Sequence, residues 1–319
     1  MKTHTPFTLL AALALSLGAA AQDFPAKAIT FVVPFAAGSA TDQLARALGQ
    51  SVSAQAKQAV VIDDKPGASG FLAAQQVAKA GADGYTVLVT TNTTHAANEH
   101  LYKSMPYDPV KDFAPLTLLG KGGQIMIVNN NVPAKSVAEF IALARKQPGK
   151  LTFGSGSSSS RIAGELLQQM AHIEILHVPY KSNPLAITDL LGGQIDMMIT
   201  DTATGLPQVK GAKVRALGVT ATRRSPLAPD IPTIDEAGVK GYEMSYWFAA
   251  YVSAKTPPAV VARLHDLLVA ATKSASAKQF YESSGTEVFV TTPEELAKFQ
   301  GAESQKWGRL IKAAGIQPE

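Results

Sequence analysis

The 319-residue chain contains no cysteine. This excludes disulfide staples, thiol catalysis, zinc–thiolate centres and a lipidated-cysteine anchor together. Charge is sparse at 17%, and the 29 basic and 25 acidic residues are interspersed, so a net charge of +4 and a pI near 9.1 produce no basic block. A nucleic-acid partner is not expected, because such a surface clusters its cations and interleaves aromatics. Beyond residue 21 no uninterrupted apolar run approaches the roughly eighteen residues of a membrane helix. What is present is a 46% hydrophobic composition, enough to bury one or two globular cores.

Familiar reaction templates are missing as well. No serine has glycine two positions away on both sides, as a nucleophile elbow requires. No glycine-rich run ends in Gly-Lys-Ser or Gly-Lys-Thr, and at Gly154-Ser-Gly the third glycine of a dinucleotide fingerprint is Ser159. His95-Ala-Ala-Asn-Glu-His100 has the wrong spacing for a zinc motif, so neither a metal nor a cofactor is expected. His177 sits in an apolar strand and reads as a hydrogen-bonded core residue. The carboxylates Asp42, Asp63, Asp64, Asp196 and Asp201 fall in separate segments, with no pair fixed as a dyad.

The opening residues read as an export signal. Met1-Lys-Thr-His is basic, Phe7 to Leu17 is apolar, and Ala19-Ala-Ala21 precedes Gln22 in the small-residue form that signal peptidase cuts. Residues 1–21 are therefore expected to be removed, with the mature chain outside the cytoplasmic membrane.

The pattern then alternates strand and helix. Ile29 to Val33 reads as a buried strand, Pro34 stops it, small residues follow, and Thr41 or Asp42 caps a helix with Leu44, Leu48 and Val52 on one face. Such a loop presents unpaired N–H groups at a positive helix end, which suits a carboxylate. Phe35, Ala37, Gly38, Ser39 and Asp42 are its candidate ligand residues. Further strands are expected at 59–62 and 85–90, with a polar loop at 91–98 offering Thr93, Thr94 and His95 where open parallel sheets bind ligands.

Two apolar runs, 116–119 and 125–128, separated by Gly120-Lys-Gly-Gly123, predict a glycine-broken pair of strands crossing to a second domain. There the alternation restarts. Strand 151–153 leads into Gly154-Ser-Gly-Ser-Ser-Ser-Ser-Arg161, a second small, hydroxyl-rich loop before a helix, with Ser155, Ser157, Ser158, Ser159 and Arg161 as candidates. Asp201 and Thr202 follow the strand 196–200 and face the same cleft or cap a helix. The aromatic strand 246–252 crosses back, with Trp247 a candidate aromatic wall, a short strand is expected at 287–290, and Thr292 with Glu295 predicts a capped final helix. The expected fold is α/β, with two mixed open sheets flanked by helices, two hinge crossings and a ligand cleft between. Domain 1 comprises 22–121 and 247–319, and domain 2 comprises 122–246.

Several segments in order resemble the Bug/TctC solute-binding proteins of tripartite tricarboxylate transporters. They are Pro34-Phe-Ala-Ala-Gly with Asp42 and Ala45-Arg46, Lys65-Pro-Gly-Ala, Ala82-Asp-Gly-Tyr-Thr86, Tyr107-Asp-Pro-Val-Lys-Asp-Phe-Ala-Pro115, His177-Val-Pro-Tyr-Lys181, Asp189-Leu-Leu-Gly-Gly-Gln-Ile-Asp196, Arg215-Ala-Leu-Gly-Val-Thr220, and Trp307 with Ile311-Lys-Ala-Ala-Gly-Ile316. The resemblance implies a monomeric periplasmic binding protein of type II-like fold. It would close on a small carboxylate through backbone amides of the two loops, deliver it to membrane permease subunits and catalyse nothing. Ser39 and Arg161 depart from the family pattern. An added cation suggests a second ligand carboxylate and Phe35 with Trp247 an aromatic ring, so the expected ligand is an aromatic dicarboxylate such as terephthalate. Alternatives are a receptor for aliphatic di- or tricarboxylates or amino acids, a sensory binding protein, or an exported hydrolase or lyase.

Overall fold

The computed structural model describes residues 24–319 of the chain, so the expected signal peptide and its cleavage point lie outside the described residues. Nine strands among them form two sheets that share one strand. The first sheet is built from β1 (Ile29–Val33), β2 (Val60–Asp64), β3 (Thr86–Thr91), β4 (Phe113–Asn129) and β9 (Ser245–Ser253), in the order β2-β1-β3-β9-β4. Pairings among β1, β2 and β3 are parallel, and β9 runs antiparallel to both β3 and β4. The second sheet adds β5 (Thr152–Ser155), β6 (Leu176–Pro179), β7 (Met197–Asp201) and β8 (Val214–Val219). There β4 lies between β8 and β7, antiparallel to both, and β5 pairs in parallel with β7 and β6.

The glycine-broken pair of strands expected at 116–128 is thus a single strand. Residues 113–123 of β4 pair with β9, and from Gln124 onward the same strand pairs with β7 and β8. The glycines mark close approach here and no turn. A Cβ at Gly120 would stand 3.0 Å from the Glu287 carbonyl, and one at Gly122 would stand 2.6 Å from the Tyr246 hydroxyl.

Helices cover the sheets. The first half carries α1 (Ala40–Ala56), α2 (Phe71–Ala78), α3 (Asn98–Leu101), α8 (Pro258–Ala271), α9 (Ala275–Ser284) and α10 (Pro293–Ala313); the second carries α4 (Val137–Lys146), α5 (Ser158–Ala171), α6 (Asn183–Leu191) and α7 (Thr202–Lys210). Local chemistry sets several starts. Ser39, Ser157 and Asp201 accept backbone N–H bonds as caps of α1, α5 and α7, and Thr292 with Glu295 completes a capping box on α10.

Three other expectations are decided by the fold. The segment expected as a polar loop at 91–98 forms a π-helical turn, Thr93–Ala97, that runs into α3. All five residues of that turn are buried, and buried backbone needs internal partners. Asp201 takes the helix-cap alternative at the start of α7, a helix that runs through Gly205 and Pro207. Gly205 is required by packing, since a Cβ would lie 2.8 Å from Ile125 Cγ2. At 287–290 the expected strand reduces to one bridge, Lys121 with Glu287.

Candidate functional site

Where the halves meet lies a small cavity of about 30 Å³, room for a water or two, so an organic ligand enters only when the halves part. On the first-half side it is lined by Phe35, Ser39, Ala40 and Thr41, with Thr91 at the end of β3. Ala40 and Thr41 are the first two residues of α1, so their amides have no carbonyl one turn earlier to bond. On the other side stand Ser157, Ser159, Ser182, Asn183 and Asp201, from the starts of α5, α6 and α7. Helix N-termini from both halves therefore converge on one space, the arrangement that stabilises an anion without a cationic side chain. None of the lining side chains is a lysine, arginine or histidine.

The first loop is held by its own side chains. Gly38, at φ +80°, donates its N–H to Asp42 Oδ2 at 2.7 Å, and Asp42 Oδ1 lies 2.7 Å from Arg46 Nε. Arg46 in turn reaches Asp64 at 3.1 Å. Asp42 thus shapes the loop from beneath and lies outside the cavity, and the Gly38 amide is already committed. Ala37 is exposed and also outside the lining. Burial first, and the Asp42 charge second, push the Asp64 carboxyl up to about 6, with Arg46 opposing.

The second loop is fixed by an amide clamp. Asn183 Oδ1 accepts from Gly156 N at 3.0 Å, and Asn183 Nδ2 donates to Asp201 Oδ2 at 3.0 Å. Asp201 also accepts from Thr204 N at 2.9 Å and from its hydroxyl at 2.8 Å, so this carboxylate lines the cavity with its oxygens engaged. Between the halves, Ala36 N donates to Ser182 Oγ at 3.3 Å and Ser158 Oγ donates to Asn98 Oδ1 at 3.0 Å.

Of the residues expected from the sequence, Phe35, Ser39, Ser157, Ser159 and Asp201 are brought together around the cavity. Others are not. Thr94 bonds Thr90 and His95 within the first half, Thr93 is buried beside them, and His95 stacks on Tyr251 at 3.9 Å with its pKa lowered to about 3 by burial. Ser155 hydrogen-bonds His177 Nε2 at 2.7 Å away from the lining, and burial with the nearby Arg161 cation lowers His177 to about 4. Thr202 donates to the Ser284 carbonyl. Trp247 is buried on the opposite face of β9, where Nε1 donates to Glu303 at 3.0 Å. Arg161 points away from the cavity to Glu319, 2.6 Å from its Oε1.

Sequence reasoning missed the aromatic wall, Tyr246 and Phe248, and also Ala40, Thr41, Thr91, Gln124, Ser182 and Asn183. The period of two along β9 carried a signal, since Tyr246 and Phe248 share one face and Trp247 takes the other. Gln124 is a buried amide on β4 whose Oε1 has no hydrogen-bond partner. A larger, solvent-open groove lies beside the cavity, with Lys121, Trp247, Phe289 and Lys306 among its walls. Its lysines are matched by Glu287 at 3.8 Å and Glu303 at 4.0 Å. No cluster of three or more metal-ligating side chains occurs among the described residues.

The chain is similar to known proteins over most of its length. The family model for the "Tripartite tricarboxylate transporter family receptor" matches residues 44–316. A UPF0065 protein from the tcbD-tcbE intergenic region of Pseudomonas sp. strain P51 is 34% identical over 291 residues, covering 90% of this chain and 86% of that protein. Among solved structures, R. palustris Rpa4515 with adipate has a TM-score of 0.90 at 35% identity, covering 93% of this chain and 100% of that one. MatC from Rhodopseudomonas palustris with bound malate has a TM-score of 0.85 at 29% identity, covering 90% of this chain and 100% of that one. The chain belongs to the tripartite tricarboxylate transporter receptor family, the TctC or Bug proteins, and shares their two-lobed α/β binding-protein fold.

Proposed function

We propose that this chain is a periplasmic receptor that captures a small organic carboxylate between its two halves and passes it to membrane permease subunits, with no chemical turnover. The observation that carries the reading is the cavity itself, faced by the amino-terminal ends of α1 and α5 from opposite halves and free of competing cations. The two related structures hold small carboxylates, adipate and malate. In this reading domain 1 comprises 22–121 with 247–319, domain 2 comprises 122–246, and the ligand contacts both only when they close.

For the ligand we propose an aromatic dicarboxylate, with terephthalate the first to test. Support comes from the three rings at the cavity, Phe35, Tyr246 and Phe248, and from two facing helix ends able to take one carboxylate each. Arg161 no longer contributes to this argument, because it lies outside the lining. Calorimetric titration with terephthalate, benzoate, adipate, malate, citrate and glutamate tests both levels. Tightest binding is expected for terephthalate, with the ligand recovered unchanged. Tighter binding of the aliphatic acids would reject the aromatic ligand and keep the receptor; conversion of a bound acid would reject the receptor.

A further inference from the structure

Arg161 lies two residues beyond Ser159, which lines the cavity, yet its side chain leads out of the site and across to the other half. Its partner is anchored there. Glu319 N donates to the Leu101 carbonyl at 2.9 Å, and the Glu319 carbonyl accepts from Lys103 N at 2.8 Å, so the side chain leaves a fixed point just beyond α3. The Arg161 side chain is 21% exposed and Glu319 is 57% exposed. Other bonds across the seam are hydrogen bonds of uncharged groups: Ala36 to Ser182, Ser158 to Asn98 and Thr202 to Ser284. Arg161 with Glu319 is the one ion pair joining the halves among the described residues.

We propose that Arg161 and Glu319 are positioning residues for ligand capture: their ion pair holds the start of α5 opposite the start of α1 and so sets affinity without touching the ligand. This rests on the carboxylate-receptor reading. The closed population multiplies the intrinsic affinity, so whatever the pair adds to closure appears in the apparent affinity. Because one partner is largely exposed, the effect is modest, about three- to five-fold in the closed population.

The absence of native cysteine makes the test direct. Lys79 in the first half and Lys146 in the second are exposed, so Lys79→Cys with Lys146→Cys accepts a spin-label pair whose distance reports closure by double electron–electron resonance. Without ligand, Arg161→Gln and Glu319→Gln are each expected to move population from short to longer distances, and the exchange Arg161→Glu with Glu319→Arg to restore it. Terephthalate affinity should weaken about three- to five-fold in each single variant and recover in the exchange. An unchanged distance distribution in both single variants, or an exchange that restores nothing, overturns the clasp. So does a loss of a hundredfold or more in affinity with no change in distance, which would make Arg161 a ligand contact. Should terephthalate not bind at all, the ligand assignment fails while the distance measurement still decides the clasp.

Discussion

Lowering the pH from 7 to 5 should cost this fold about 2 kcal/mol through His95 alone. The ring is fully buried, stacked on Tyr251 at 3.9 Å and edge-on to Phe113 at 4.7 Å. Its Nδ1 meets the Thr94 hydroxyl at 2.8 Å, and its Nε2 has no partner, so a charged imidazole has nothing to neutralise it. Burial lowers the pKa from the ordinary 6.5 to about 3. Between those values the unfolded chain binds the extra proton and the folded one does not, so stability is complete above 6.5 and drains away as pH falls toward 3. At pH 5 the unfolded imidazole is almost fully charged while the folded one is almost fully neutral, which gives the quoted figure. Equilibrium urea unfolding at pH 7, 6 and 5 measures it, with a midpoint shift of roughly 0.5–1 M expected for an ordinary denaturant slope. His95→Gln and His95→Phe lower or shift stability by their own packing effects, yet both should remove this share of the pH slope. If both variants keep the slope of the natural chain, the neutral buried imidazole is refuted.

Asp64 should act in the opposite direction. Its carboxyl is raised to about 6 by burial and the neighbouring Asp42, so the folded state binds the proton first and gains stability as pH falls from 6 toward 3.8. Asp64→Asn should abolish that gain in the same titrations, making net acid destabilisation steeper. At Gly156 an added Cβ would stand 2.0 Å from the Ser182 carbonyl carbon and 2.1 Å from Asn183 N, both backbone. Gly156→Ala must push α6 away from the second loop, with a stability loss of roughly 2–3 kcal/mol and loss of ligand binding. Unaltered calorimetric affinity in that variant would show that the second loop does not hold the ligand.

Much of this protein was legible locally. Runs such as Ile29–Val33 and the cap Thr292 specify their elements within a few residues, because strand burial and helix capping are short-range; the cap of α1 is Ser39, where Thr41 or Asp42 was expected, since its hydroxyl accepts from Asp42 N. The two small-residue loops before α1 and α5 were visible for the same reason. Faces and partners were not. Gly120 and Gly122 look like breaks until the side chains packed against them are known. Trp247 looked like the ring of the site because sequence does not say which face of β9 meets the cavity, and one residue's difference selects Tyr246 and Phe248.

By itself, then, the order of residues determined an alternating α/β chain with two small-residue loops placed before helices. Its similarity to other chains of the family follows from those local segments. Tertiary structure alone decided that β4 is continuous, that Asn183 and Asp201 clamp the second loop, and that Arg161 answers to Glu319, which lies 158 positions away in the chain. Which charges meet over such separations is set by how the two halves pack, and no local pattern encodes it.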